Sequence, residues 1–202
     1  GDLISPFRAL HEKDRKPSLG ERFKRTLAQL TLPYPTRFRL AAASGKLAKP
    51  FSRILPGPMR VMLDLLPEKI PAKQTLRDHY PAIGTPRGKV ALLTGCAQTV
   101  LDPDINVATI EVLNQNGVEV FVPKSQGCCG ALSWHVGNLK QARSFARQNL
   151  KAFPSDVDAV ITNAAGCGSG MHEYGLMLKG TPEEDAAIAL AKRTIDVSVY
   201  LS

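Results

Sequence analysis

The 202-residue chain has no Cys-x-x-Cys pair, no Gly-x-Gly-x-x-Gly, no P-loop, no His-Glu-x-x-His and no Ser/His/Asp order. Dinucleotide binding, phosphate cradling, zincin chemistry and thioredoxin-type exchange therefore have no motif to stand on. Aromatic residues make up only 6% of the chain, with one Trp, and no aromatic platform is interleaved with its basic residues, so nucleic-acid binding is not expected. No apolar run is long enough to span a bilayer and no secretory h-region is present. The chain starts at Gly1, not Met, and is expected to be an excised piece.

Acidic residues are scarce in one half only. Before residue 89 there are 17 Lys and Arg against 7 Asp and Glu, together with eleven of the fifteen prolines; from residue 89 onward the balance is 9 against 11. A boundary within Thr85-Pro-Arg-Gly88 separates a basic, proline-rich helical region, residues 1–86, from a second region, residues 87–202. In the first, Ser18 and Glu21 form a capping box ahead of Phe23, Leu27 and Leu30, predicting an amphipathic helix that stops before Pro33-Tyr-Pro35. Further short helices are predicted over 36–47 and 58–66, the latter with Met59, Met62, Leu63 and Leu66 on one side. The expected role is a solvated linker whose apolar faces pack on the neighbouring domain or on parts of the protein outside this chain. Contact with a partner subunit or an anionic membrane surface is the next reading.

The second region holds all four cysteines, each behind a short apolar run. Lys89-Val-Ala-Leu-Leu-Thr94 precedes Cys96, Val118-Glu-Val-Phe-Val122 precedes Cys128 and Cys129, and Ala159-Val-Ile-Thr162 precedes Cys167. These runs read as strands, and helical segments at 105–115 and 137–152 separate them. The expected fold is α/β: a parallel β-sheet with flanking helices in the order strand, helix, strand, helix, strand. Strand carboxyl ends then share one edge, which gathers the cysteines there. A helix is expected from Ser169, another over 183–192 after the Gly180-Thr-Pro182 break, and a short element over 197–201.

Thirty-one residues separate Cys96 from Cys128 and thirty-seven separate Cys129 from Cys167. Structural zinc sites use short paired spacings, so they fit poorly. Vicinal Cys128 and Cys129 are expected to diverge and to pair badly with each other. Gly127 and Gly130 flank them, permitting positive φ and close approach of backbone amides to a bound sulfide. That combination suits a large anionic cluster better than a small ion. Against it stands the reading of the cysteines as small buried hydrophobes. Trp134 is read as a packed lid, and His135 and His172 as hydrogen-bonded residues, not ligands.

The order Cys96, then Gln126-Gly-Cys-Cys-Gly130, then Asn163-Ala-Ala-Gly-Cys-Gly-Ser-Gly-Met-His-Glu-Tyr-Gly175 resembles the cysteine-rich CCG domain. That domain occurs in heterodisulfide reductase, in anaerobic glycerol-3-phosphate dehydrogenase and in the glycolate oxidase iron–sulfur subunit, and the wording around Cys167 is most similar to the last. Heterodisulfide reductase carries a fifth cysteine where Gly170 stands here, which counts against its five-thiolate cluster in this chain. The resemblance implies an iron–sulfur cluster of [4Fe–4S] type on Cys96, Cys128, Cys129 and Cys167, with Gly127 and Gly130 beside it. It also implies an electron-transfer role with no catalytic residue of this chain's own, and flavoprotein partner subunits that oxidise a 2-hydroxy acid such as glycolate. A thiol/disulfide redox subunit is the rival, and a metal-stabilised binding domain the third reading. The expected location is cytoplasmic, with the inner face of the membrane as a peripheral contact. A fragment without the flanking ferredoxin-type motifs is expected to be isolable without its cluster.

Overall fold

A computed structural model describes residues 4–11, 17–50, 57–64 and 66–202. Its elements begin with the helices α1 (Ile4–His11), α2 (Leu19–Thr31), α3 (Pro35–Ala48) and α4 (Gly57–Asp64). Then come β1 (His79–Tyr80), β2 (Gly88–Leu92), α5 (Gln98–Leu101), α6 (Asp104–Gln115), β3 (Val118–Phe121), α7 (Ala131–His135), α8 (Leu139–Ala152) and β4 (Ala159–Thr162). The chain continues through α9 (Ala165–His172), α10 (Tyr174–Met177), α11 (Glu184–Lys192), β5 (Thr194–Asp196) and α12 (Val197–Tyr200). The side chains of Met59 and Met62 lie outside the described residues. No helix among the described residues is long and apolar enough to cross a membrane.

The sheet order is β1-β3-β2-β4-β5, parallel except for β1, which runs antiparallel to β3. Val90 pairs with Val120 on one side and Ala159 on the other, so β2 is the central strand. Its alternation divides the core. Val90 and Leu92 pack with Ile110 and Leu113 of α6, whereas Ala91 and Leu93 face the layer of α7 to α11 with Phe145, Met171, Tyr174 and Leu190. Strands covered on both faces read as continuous apolar runs, as 90–93 and 159–161 do. The chain leaves β2 for β3 on one side and then crosses to β4 on the other. The carboxyl ends of β2 and β4 therefore form a topological switch point, where open α/β sheets bind ligands.

Several expectations need adjusting. His79 and Tyr80, placed by sequence in the basic region, add an edge strand to the sheet. The helix after Gly137 begins two residues later, because Gly137 has φ +82° and Asn138 caps α8 by accepting from the Gln141 amide at 3.1 Å. The helix after β4 begins at Ala165 and not at Ser169, so Cys167 lies inside its first turn. Ser18 caps α2 as expected, accepting from the Glu21 amide.

The apolar stripe of α2 does not pack on the sheet domain. Leu19, Phe23, Leu27 and Leu30 are exposed, between 45 and 83%, while the opposite face docks through polar bonds. Gln29 accepts from Asn138 Nδ2 at 2.6 Å and, through its carbonyl, from Gln141 Nε2 at 3.0 Å. Polar residues around the α8 N-terminus select the polar side of the helix.

Across the α-helical layer, Arg147 of α8 grips Glu183 at the start of α11, with Nε to Oε1 at 3.0 Å and Nη2 to Oε2 at 3.3 Å. This fork, with the Thr181 side chain, holds the Glu183 carboxyl down to about 2 from 4.5. A depressed folded pKa means stability present above the unfolded value and lost as pH falls from about 4.5 towards 2. Glu183→Gln is expected to flatten that part of the acid limb in pH-dependent urea unfolding, and the difference should shrink in high salt because the pair is half-exposed.

Candidate metal centre

Three loops at the carboxyl edge of the sheet deliver four thiols. Cys96 follows β2 after Gly95 (φ +72°), and Thr99 Oγ1 braces its loop by donating to the carbonyls of Gly95 and Cys96 at 3.1 and 2.9 Å. Cys128 and Cys129 end the loop after β3. Cys167 lies in the first turn of α9, directly after β4, its amide donating to the Ala164 carbonyl at 2.9 Å. The sulfurs adjoin in succession: Cys96 Sγ lies 3.4 Å from Cys128 Sγ, and Cys129 interacts electrostatically with both Cys128 and Cys167. All four are free thiols. The two inner members are 4% exposed and the two outer ones half-buried.

The row shares its charge unevenly. Hydrogen bonds from Cys128 and Cys167, aided by the Ala131 amide, pull Cys129 down to about 3 against the opposing effect of burial. Cys128 is driven far up because it donates to Cys129 and Cys96 and is buried, and Cys167 rises as a donor to Cys129. Cys96, which accepts from Cys128, is lowered. Protons on its neighbours thus favour charge on Cys129, and bound cations would displace those protons.

The two flanking glycines do different work. Gly130 has φ +82° and donates its amide to Cys128 Sγ at 3.4 Å, while a side chain there would press on Ala142 and Phe145. Gly127 does not need positive φ and its amide does not face sulfur: it donates to Asn149 Oδ1 at 2.8 Å, and a Cβ would come within 2.6 Å of Gln148 Oε1. As expected, the vicinal pair is not joined in a disulfide. Both thiols enter the same core layer as the chain turns at Gly130.

Carboxamides that the sequence reading passed over hold the three loops together. Gln126 accepts from the Thr94 amide at 2.9 Å and donates to the Leu92 carbonyl at 3.1 Å, tying the loop after β3 to the end of β2. Gln98 donates to both Asn106 and Asn163, at 2.8 and 2.9 Å, and Asn163 donates on to Asn106 and Thr109, which ties the β2 loop to the β4 loop. Fully buried Asn149 accepts from Gly127 and donates to the Cys128 carbonyl at 3.0 Å and the Tyr174 hydroxyl at 2.7 Å. Isolated amides in a polar-looking helix give no periodic signal, and this is why they were missed. Trp134 is 2% exposed and donates Nε1–H to the buried carboxylate of Glu173. His172 is exposed and His135 half-buried, and neither joins the sulfur row.

Among the described residues, no three His, Cys, Asp or Glu side chains converge as ligands of one metal ion would. The donor set is four soft thiols spread along a row, with a backbone amide aimed at one of them. Such a set fits a polynuclear cluster, which takes its thiolates at separate irons, better than a lone ion.

A mostly parallel sheet that presents four cysteines at its switch point defines an α/β domain with a thiol-lined edge. Residues 90–172 match the family described as the cysteine-rich domain CCG. The chain is 34% identical, over a 223-residue alignment covering all of this chain and 49% of the relative, to a probable glycolate oxidase iron–sulfur subunit of Bacillus subtilis. It is 32% identical to the glycolate oxidase iron–sulfur subunit of Escherichia coli, covering 88% of this chain and 42% of the relative. Lactate utilization protein A of Geobacillus thermodenitrificans is 32% identical over 56% of this chain and 47% of its own length. The chain spans about half the length of these curated relatives. No solved structure gives a significant match.

Asn149→Leu is expected to destabilise the fold by about 2–3 kcal/mol, since it strands an amide, a carbonyl and a hydroxyl in the interior. Urea unfolding measures this; a loss below about 0.5 kcal/mol, the size of an ordinary surface substitution, would show that the loop does not depend on Asn149.

Proposed function

We propose that this chain is the electron-carrying iron–sulfur part of a 2-hydroxy-acid oxidising complex, with glycolate as the substrate class. On this reading a flavoprotein partner removes the electrons from the substrate and a quinone-type acceptor receives them. Cys96, Cys128, Cys129 and Cys167 would hold a [4Fe–4S] cluster. When bound, the cluster supplies one-electron storage and transfer. The observation that carries the reading is the row of four thiols at the sheet's switch point, built from three separate loops, in a chain whose relatives are named as iron–sulfur subunits.

The chain's own residues do the holding and tuning. Gly130 offers its amide to the Cys128 sulfur and the Ala131 amide favours charge on Cys129, and such backbone dipoles stabilise an anionic site. Buried Tyr174, Trp134 and Phe145 keep water from the inner pair. No residue of the row is assigned to substrate chemistry. Residues 1–86 form the basic helical region and residues 87–202 the cysteine-rich domain, with β1 reaching across to the sheet.

The thiol/disulfide reading is less well supported. It leans on a fifth cysteine at the place of Gly170, and here a Cβ at Gly170 would sit 2.6 Å from Ala131 Cβ and 3.1 Å from its Cα, where α9 crosses α7. The backbone of α7 leaves no room for a further thiol without a shift of the helix.

Anaerobic reconstitution with ferrous iron and sulfide should give visible charge-transfer absorbance in the wild-type protein. Cys167→Ser, which removes one of only four thiols, should lower the absorbance per chain by half or more, by order of magnitude of a lost ligand. Equal absorbance in the variant would remove Cys167 from the ligand set.

A further inference from the structure

The region before the sheet touches the thiol site itself. Between α2 and α3 the chain turns through Pro33, Tyr34 and Pro35, and this turn lines a cavity of about 220 Å³ whose other walls include Cys96, Cys128, Gln126 and Phe145. Pro33 is buried. The Tyr34 ring packs 5.8 Å from the Phe145 ring and against the same core layer as the cysteines. Arg37 stacks its guanidinium 4.4 Å above Tyr34 and donates to the Leu30 carbonyl at 3.2 Å, which fixes the turn from the solvent side.

A second contact fastens the turn to the Cys96 loop. Arg39, one turn into α3, donates through Nη2 to the Thr99 carbonyl at 3.2 Å and through Nη1 to the Pro71 carbonyl. Thr99 is the residue whose hydroxyl braces the carbonyls of Gly95 and Cys96. Arg39 is thus one residue removed from the backbone that aims the Cys96 thiol. Cys167, at the other end of the row, does not line the cavity.

We propose that the Pro33–Tyr34–Pro35 turn, latched by Arg39 to the Cys96 loop, is a wall of the thiol site that screens Cys96 from solvent. The basic region is then part of the site, and Tyr34 and Arg39 are positioning residues for its exposed end. The identity of the group behind the wall rests on the reading under Proposed function; the wall itself does not.

The test needs no cluster. Wild-type, Tyr34→Ala, Tyr34→Phe and Arg39→Gln proteins are alkylated with iodoacetamide anaerobically in the metal-free state, and each cysteine is followed by mass spectrometry. With Cys167 as the internal reference, Tyr34→Ala and Arg39→Gln should raise the relative rate at Cys96 by about tenfold, because thiol reactivity follows access, while Tyr34→Phe keeps the ring and the wild-type ratio. An unchanged ratio in both variants, or equal acceleration of Cys96 and Cys167, overturns the proposal. Should Tyr34→Ala unfold the chain, Arg39→Gln alone decides. Iron and sulfide uptake by unalkylated aliquots of the same proteins reads the cluster assignment separately: no uptake with Cys96 still screened defeats the assignment and leaves the wall, and uptake with an unscreened Cys96 does the reverse.

Discussion

Parallel pairing of β2 with β3 on one side and β4 on the other is the constraint on which the site depends. Cysteines separated by more than thirty residues are brought side by side only because three strand ends are hydrogen-bonded neighbours. The crossover from β3 to β4 opens the edge above β2, and the thiols fill that opening. Covered on both faces, the strands have no freedom to slip in register, since a one-residue slip would exchange Val90 and Leu92 with Ala91 and Leu93 across two differently packed layers.

Placing loops at one edge does not fix their tips to within a bond length. That is the work of the carboxamides, which join the β2 loop to the β3 loop through Gln126 and to the β4 loop through Gln98 and Asn163. Neutral amides suit the task. Charged tethers so close to the row would set its electrostatics, whereas amides leave the charge to the thiols and to the backbone dipoles at Gly130 and Ala131. The inner thiols are insulated by the core and the outer ones meet the surface. On the side of Cys96 that surface includes the turn between α2 and α3.

Much of the site could be read from the chain because β2, β3 and β4 each carry a short apolar stretch that leads to a cysteine, a local pattern that survives folding. The parts that were not legible depend on long-range contacts. The two-residue strand at His79 has no run of its own and exists because β3 offers a free edge. Cys167 sits one turn deeper into helix than expected, since Asn163-Ala-Ala-Gly reads as loop while the helix actually starts at Ala165. Gly127 and Gly130 look equivalent in sequence, yet only Gly130 needs the left-handed conformation, and a buried Asn twenty-two residues downstream claims the Gly127 amide. The apolar stripe of α2 predicts a helix, and polar partners on α8 decide which side docks.

The central claim is that the four thiols hold one iron–sulfur cluster. Iron and acid-labile sulfide analysis of anaerobically prepared protein, with EPR of the reduced sample, tests it most directly. The account predicts iron and sulfide in equal amounts and a paramagnetic signal on reduction, lost together when the cysteines are replaced. Iron or zinc bound without sulfide, or thiols that cycle to a disulfide with no metal taken up, would contradict it.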